Sequence, residues 1–146
     1  MMSESYEHRE MVLAMKRTLP RICPTVRPVA DVSSHVKGCQ LPPMISNHRP
    51  DVFARNREQV FVGEVKTFSD LETKRSTLQI RSFIQYAEKN KGNFILGAYG
   101  QGADRAKTLL RFSSHDLQLK RCQLYVFDGL DYWSFTPDGR RRWLSI

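Results

Sequence analysis

Cysteine, long apolar runs and clustered histidines are all scarce in this chain of 146 residues. Its three cysteines, Cys23, Cys39 and Cys122, are odd in number and show no CxxC spacing, which argues against a disulfide framework or a zinc site. No segment approaches the roughly 20 apolar residues that a membrane-spanning helix needs. The N-terminus also lacks the apolar core of a signal peptide. We therefore expect a cytoplasmic protein that does not bind membranes.

Acidic residues are outnumbered by basic ones. The chain has 23 lysines and arginines against 15 aspartates and glutamates, which gives a formal net charge of +8 and a pI of about 9.7. Such a surplus favours a polyanionic partner, DNA or RNA, that is bound in a salt-sensitive manner. A chain of this length can bury about 70% of its unfolded surface around one core. We therefore expect a single domain over residues 1–146.

Two short segments, 51–54 and 59–65, are rich in β-branched and aromatic residues, as β-strands are. The polar stretch between them has the composition of a hairpin connection. Side chains alternate along a strand, so Glu64 and Lys66 are expected to share one face. Folding the hairpin brings Asp51 roughly opposite Glu64 or the two residues before it.

The carboxylates of Asp51 and Glu64 need a partner if they lie this close together. At about 4 Å and an effective dielectric near 20, their repulsion would be roughly 4 kcal/mol. A divalent cation reverses this sign, and Mg²⁺ prefers hard oxygen ligands while it keeps several waters. We therefore predict a metal site formed by Asp51, Glu64 and the backbone carbonyl of Val65. Lys66 would orient the attacking water or stabilise negative charge on the phosphoryl oxygens.

The sequence Pro50-Asp51, followed by Glu64-Val65-Lys66, resembles the PD-(D/E)XK signature of the restriction-endonuclease-like nuclease superfamily. The resemblance implies an α/β fold whose core is a helix, three antiparallel strands, a second helix and a further strand. It also implies that Asp51 and Glu64 are metal ligands and that Lys66 is the catalytic lysine. Small members of the superfamily include resolvases of four-way DNA junctions. The branch to which this chain belongs stays open.

Many members of this superfamily add a glutamate from the first helix. Residues 3–19 have the spacing of an amphipathic helix that begins near Ser3 or Ser5. Glu7 lies beside the apolar side of this helix, whereas Glu10 points more toward solvent. Glu7 is therefore the first candidate for an additional catalytic acid, and Glu10 is the second. The alternative is that both glutamates simply favour the positive end of the helix.

A second helix is predicted after the Glu-x-Lys motif. Ser69 and Glu72 have the Ser-x-x-Glu spacing of a capping box, and the helix should run to about Asn90. Gln79 lies on a polar flank of this helix that could reach the substrate side of the sheet. It resembles the helix glutamine of several branches of the superfamily, although Phe83 occupies the position of the tyrosine in that pattern. A solvated amphipathic flank explains the same residues.

The remaining pattern predicts more strands around a third helix. Residues 93–99 suit a buried strand, and a glycine loop of the form GxxGxG then leads into a helix over residues 103–112. This loop is more typical of a turn than of a nucleotide site. Residues 122–146 alternate and turn in the manner of a C-terminal β-meander. The first strand is expected around residues 26–32.

We predict a Mg²⁺-dependent deoxyribonuclease, with Mn²⁺ as a substitute, that hydrolyses DNA phosphodiester bonds. Its predicted catalytic residues are Glu7, Asp51, Glu64, Lys66 and Gln79. The main alternative is a DNA- or RNA-binding subunit that keeps the nuclease fold without catalysis, and a protein-interaction module fits the charge less well. Cutting two strands with a domain of 17.0 kDa favours a homodimer or an association with other subunits. The sequence leaves open whether the substrate is a junction, a duplex site, an end, a single strand or RNA.

Overall fold

The computed structural model describes residues 5–32, 40–136 and 142–146, and these form three α-helices and seven β-strands. The helices are α1 (Tyr6–Thr18), α2 (Lys74–Lys89) and α3 (Gln101–Asp116). The strands are β1 (Val29–Ala30), β2 (Val52–Arg55), β3 (Val60–Val65), β4 (Asn93–Gly97), β5 (Gln123–Phe127), β6 (Tyr132–Phe135) and β7 (Trp143–Ser145). Within these residues, no helix is both long and apolar enough to span a membrane.

The seven strands belong to one sheet, in which they lie side by side in chain order. β1, β2 and β3 are antiparallel, β3, β4 and β5 are parallel, and β5, β6 and β7 are antiparallel again. Parallel neighbours need a long crossover, which is usually helical, and α2 and α3 supply the two crossovers. The predicted restriction-endonuclease-like core and the C-terminal β-meander are both confirmed. The sequence pattern does not predict that β5 pairs with β4 and so joins the meander to the same sheet.

Helices cover both faces of the sheet. On one face α1 packs against Phe61 and Val65 of β3, and on the other face α2 and α3 pack around Val62 and its neighbours. This division follows from the alternation of side chains along β3. Gly63 lies beneath α1, where an added Cβ would meet the sulfur of Met15 at 2.5 Å. A glycine at this position therefore permits the close approach of the helix to the sheet.

Helix α1 begins and ends close to the predicted positions. Ser5 caps it by accepting a hydrogen bond from the backbone N–H of His8 at 3.1 Å. The other predicted cap, Ser3, lies outside the described residues. The helix ends at Thr18, and Pro20 follows within a short 3-10 turn. The cap fixes which residues occupy the first turn of α1, and this turn lies next to the candidate active site.

The predicted capping box at Ser69 is wrong. Residues Asp70–Glu72 form a short 3-10 helix, and Thr73 caps α2 by accepting a hydrogen bond from the backbone N–H of Ser76 at 3.2 Å. The hydroxyl of Ser69 contacts the hydroxyl of Thr67 at 3.2 Å instead. Because these short polar side chains bond locally, they make a turn before the α-helix can begin. α2 therefore starts five residues after Ser69.

Three other predicted boundaries shift by a few residues. The first strand contains only Val29–Ala30, β4 ends two residues earlier than expected, and α3 covers residues 101–116 instead of 103–112. Gly100 adopts a φ of 53° between β4 and α3, a conformation that glycine tolerates better than other residues. The chain thus leaves the sheet abruptly, and the side chain of Tyr99 stays half-exposed.

Candidate active site

The pairing of β2 with β3 brings the two predicted acidic ligands together. Val52 lies opposite Gly63, so Asp51 lies opposite Glu64, as predicted. The backbone N–H of Asp51 donates a hydrogen bond to Glu64 Oε1 at 3.1 Å. The backbone N–H of Val65 donates to Asp51 Oδ2 at 2.8 Å. Each carboxylate is therefore held by the backbone of the neighbouring strand.

The turn between β2 and β3 explains why this register is well defined. Asn56 Oδ1 accepts hydrogen bonds from the backbone N–H groups of Glu58 and Gln59, both at 2.8 Å. Its Nδ2 donates to Thr25 Oγ1 at 2.7 Å, which ties the turn to the segment before β1. A slip of one residue would turn every side chain of β3 to the opposite face. The amide of Asn56 thus helps to place the acidic pair.

Glu64 is a buried acid with 3% of its surface exposed. Burial raises the pKa of its carboxyl group well above the usual 4.5, and the negative charge of Asp51 raises it further, while Lys66 acts in the opposite direction. Without a cation beside Asp51, the ionised form of Glu64 is therefore disfavoured. A divalent cation between the two groups would relieve both the desolvation and the repulsion.

Lys66 joins this pair to helix α2. Its Nζ lies 3.4 Å from Glu64 Oε2 and donates a hydrogen bond to Gln79 Oε1 at 2.7 Å. The ammonium group is mostly shielded from solvent, with 15% of the side chain exposed. The structure thus brings Gln79 to the predicted site, and the amide of Gln79 fixes where the charge of Lys66 lies.

His8 is a member of the cluster that the sequence interpretation missed. Its Nε2 lies 3.3 Å from Asp51 Oδ2, and a quarter of its side chain is exposed. One available signal was its position three residues before Met11, which lies on the buried side of α1. In a helix, residues at spacings of three and four share a face. Both Glu7 and His8 meet that criterion, and only the path of α1 over the sheet distinguishes them.

Glu7 lies beside the site but not inside the acidic pair. Its exposed side chain lines a groove of about 150 Å³ together with Val65 and Lys66. Within the described residues, no hydrogen bond connects Glu7 to the carboxyl group of Asp51 or of Glu64. The predicted role of Glu7 as an additional catalytic acid remains a prediction, as does the reserve role of Glu10.

The donor set suits a hard divalent cation that is only partly held by protein. In the described ranges, no three acidic, histidine or cysteine side chains cluster closely enough to hold a metal ion by themselves. The candidate ligands are therefore Asp51, Glu64 and the carbonyl of Val65, completed by water and substrate phosphate. Mg²⁺ sites in phosphoryl-transfer enzymes commonly have this composition, one or two carboxylates with several waters. Two neighbouring carboxylates, one of them buried, fit that ion.

Comparison with protein families identifies the lineage of this chain. The sequence model of the archaeal Holliday junction resolvase (Hjc) family matches residues 36–129, roughly two thirds of the chain. This chain belongs to the Hjc family. No curated protein and no solved structure matched it. The Hjc family is part of the PD-(D/E)XK nuclease superfamily, so the resemblance found in the sequence is confirmed.

Membership of the Hjc family implies a nuclease that acts on DNA, in agreement with the broader functional prediction. The matched segment contains Asp51, Glu64, Lys66 and Gln79. It begins after α1, so the match does not bear on the side chains of the first helix. His8 lies outside the matched segment. Its contribution to the site is therefore revealed by the structure alone.

Lys66 stands between two grooves of this Hjc-family protein. The groove on the α1 side includes Glu7, and the groove on the α2 side, of about 350 Å³, includes Arg75 and Gln79. The first groove therefore has the carboxylate of Glu7 beside Lys66, whereas the second has the guanidinium group of Arg75 as well as the carboxylate of Asp70. A phosphate is attracted to the second groove more strongly, because both basic side chains border it.

Proposed function

We propose that this protein is a Mg²⁺-dependent endonuclease that cuts four-way DNA junctions, with Mn²⁺ able to replace Mg²⁺. The observation that carries the proposal is the convergence of Asp51, Glu64 and Lys66 at the ends of β2 and β3 in a member of the Hjc family. The net charge of +8 supports binding to the DNA backbone. The products would be nicked duplexes that a ligase can reseal.

The roles of the residues follow from their chemistry. Asp51, Glu64 and the carbonyl of Val65 would hold the cation. The bound cation would supply an acidified water and a charge that stabilises the developing phosphorane-like oxygens. Lys66 donates hydrogen bonds to a phosphoryl oxygen or to the attacking water, and Gln79 keeps its Nζ in place at 2.7 Å. Preorganised charge of this kind is a large contribution to catalysis by hydrolases.

His8 is a positioning residue for the proposed metal ligand Asp51. Its imidazole contacts Asp51 Oδ2 at 3.3 Å and restricts the orientation of that carboxylate. Ligating carboxylates commonly receive such hydrogen bonds from outer groups, which tune their affinity for the metal. A resolvase must also cut two strands, and one such centre per chain favours a homodimer or an association with other subunits.

A cleavage panel tests the proposal directly. Four-way junctions, nicked duplexes, linear duplexes and single strands of matched sequence are incubated with the protein and with Mg²⁺, Mn²⁺ or EDTA, and each strand is labelled in turn. We expect paired cuts near the branch point of the junction that depend on the metal. Asp51→Asn and Lys66→Met should lower the single-turnover rate by about a hundred- to a thousandfold. Lys89→Met, at the exposed end of α2, is the matched control for Lys66→Met.

The same panel decides between the nuclease and a non-catalytic subunit. Binding to each DNA form is measured by fluorescence anisotropy with Ca²⁺ in place of Mg²⁺, at several salt concentrations. The nuclease proposal predicts that Asp51→Asn keeps junction binding while cleavage is lost. Salt-dependent binding to junctions with every DNA form left intact under both metals would reject the nuclease and favour the binding subunit.

A further inference from the structure

Two partly exposed aromatic side chains lie next to Lys66. Phe68 follows β3 and Tyr99 follows β4, and each ring exposes 47% of its surface. With Glu7 and Lys66 they line the groove of about 150 Å³ on the α1 side. We call this the aromatic groove. It lies beyond the carboxyl ends of two parallel strands, where open α/β sheets bind their ligands.

The fold holds the ring of Tyr99 and the backbone of Phe68 in place. Gly129, in the turn between β5 and β6, has a φ of 103°, and a Cβ there would lie 2.6 Å from Cε1 of Tyr99. The ring therefore rests directly on backbone. The backbone of Phe68 packs near Gly102 in the first turn of α3, where a Cβ would lie 3.6 Å from the nitrogen of Phe68. A ring fixed as that of Tyr99 is loses little conformational entropy when a ligand stacks on it.

The charges of the aromatic groove favour a base over a phosphate. Glu7 lines this groove. Burial raises the pKa of the Tyr99 hydroxyl, and the negative charges of Glu7 and Glu10 raise it further. Carboxylates repel phosphate groups but accept hydrogen bonds from exocyclic amino groups of bases. Lys66 lines the same groove, and the scissile phosphate would lie beside it.

Exposure alone does not distinguish these rings. Phe112 on α3 exposes 70% of its surface and also lines a groove, with the basic side chains of Arg111 and Lys120, and exposed apolar side chains are common in soluble proteins. Phe68 and Tyr99 differ because they share a concave surface with the lysine that is placed to act on phosphate. Unpaired bases in nucleic acids are commonly bound by stacking on aromatic side chains in this manner.

We propose that the aromatic groove binds one nucleobase next to the scissile phosphate, a base that leaves its pair at the branch point. The base stacks on Phe68 and Tyr99, and Glu7 accepts a hydrogen bond from its amino group, so adenine, cytosine and guanine are preferred over thymine. The inference rests on the proposed function, because it places the scissile phosphate at Lys66. It assigns Glu7 to base recognition and leaves metal binding to Asp51 and Glu64.

A double-mutant cycle between protein and DNA tests the stacking. Junctions with a single abasic site, scanned through the nucleotides at the branch point, are bound in Ca²⁺ by wild type and by Phe68→Leu/Tyr99→Leu, so that no cleavage is needed. At one position, loss of the base should weaken binding to the wild type about fivefold or more. The double variant should show no such penalty, whereas Phe112→Leu should keep it. Tyr99→Phe should also keep it, because the phenyl ring remains.

The outcomes separate the two proposals. An abasic penalty that is equal in wild type and in the double variant overturns the base-binding proposal, whatever the cleavage panel shows. A penalty that depends on the rings, without any cleavage, supports base binding and rejects the nuclease. Loss of a dimer in the double variant with an unchanged penalty would mean that the rings contact a second copy. If the double variant does not fold, the pair Tyr99→Leu and Tyr99→Phe gives the same comparison.

The role of Glu7 has its own test. Glu7→Ala, which removes the acceptor, should reduce the preference for amino-bearing bases over thymine at the scanned position by about fivefold or more. Its affinity for Mg²⁺, measured by isothermal titration calorimetry, should equal that of wild type. A loss of Mg²⁺ affinity with an unchanged base preference would return Glu7 to the metal site and overturn this part of the proposal.

Discussion

Replacing Glu64 by glutamine is expected to stabilise the protein without metal and to destabilise it relative to wild type when Mg²⁺ is bound. Glu64 exposes only 3% of its surface and faces a second carboxylate. Glutamine has the same shape, keeps an acceptor for the backbone N–H of Asp51, and has no charge to desolvate. The natural residue therefore favours function at the expense of stability, which is common at active sites.

The size of the effect follows from three opposing contributions. At a separation of about 4 Å and an effective dielectric near 20, repulsion between Glu64 and Asp51 would be about 4 kcal/mol. The attraction of Lys66, whose Nζ lies 3.4 Å from Glu64 Oε2, is of comparable size and opposite sign. The cost of desolvating the carboxylate remains, and protonation of Glu64 avoids part of that cost. We expect Glu64→Gln to raise the free energy of unfolding by about 1–2 kcal/mol, or the Tm by about 2–8 °C.

Mg²⁺ and pH should each change the difference in stability between Glu64→Gln and wild type. Mg²⁺ at a hundred times its Kd stabilises wild type by roughly 3 kcal/mol, and the variant less, because it lacks one ligand charge. Because the pKa of Glu64 is raised above its usual 4.5, its stabilising contribution is complete below the unfolded pKa. That contribution is lost as the pH rises through the folded pKa. In EDTA, the advantage of Glu64→Gln over wild type should therefore grow from acidic to neutral pH.

Thermal unfolding followed by circular dichroism, in EDTA and in Mg²⁺, measures all of these differences. Glu58→Gln, in the exposed β2–β3 connection, is the matched control and should leave both curves unchanged. If Glu64→Gln is less stable than wild type in EDTA, or if Mg²⁺ raises the Tm of both proteins equally, the reasoning about the acidic pair is refuted.

Three further predictions concern groups around the site and in the fold. Gln79→Ala should release Lys66 Nζ and lower single-turnover cleavage about ten- to a hundredfold, and an unchanged rate would contradict the positioning role. His8→Ala should weaken Mg²⁺ binding about tenfold in calorimetry because Asp51 loses an orienting contact, and equal affinity would rule that out. Glu88→Ala removes the acceptor for the backbone N–H groups of residues 120–122 and should lower the free energy of unfolding in urea by about 1–3 kcal/mol. A decrease smaller than half of the lower value would show that these hydrogen bonds are dispensable.

Much of the site could be predicted because it depends on local periodicity. The alternation in β3 places Glu64 and Lys66 on one face, and the short connection leaves few registers for Asp51. The helical spacing in α2 places Gln79 on the flank that faces the sheet, and this holds although the predicted start of the helix was wrong. A shift of the cap from Ser69 to a later residue changes the length of the helix but not its phase.

The parts that sequence could not predict depend on long-range packing. His8 and Glu7 occupy equivalent positions relative to Met11, and only the path of α1 across the sheet brings the imidazole to Asp51. The parallel pairing of β4 with β5 likewise joins segments that α3 separates. No local pattern contains this information, because parallel neighbours are linked by a crossover and not by a turn.

The centre is fastened from both sides of the sheet, with Asp51 tied to α1 through His8 and Lys66 tied to α2 through Gln79. These two contacts restrict the reactive groups, so we expect the nucleic acid to adapt its shape to them. Smoothly bending 20–30 base pairs costs on the order of 1–6 kcal/mol. The arms of a branched DNA can change direction at the branch point, so most of that bending cost is avoided there. If the proposed junction cleavage holds, a stiff centre would favour branched over straight DNA before any sequence is read.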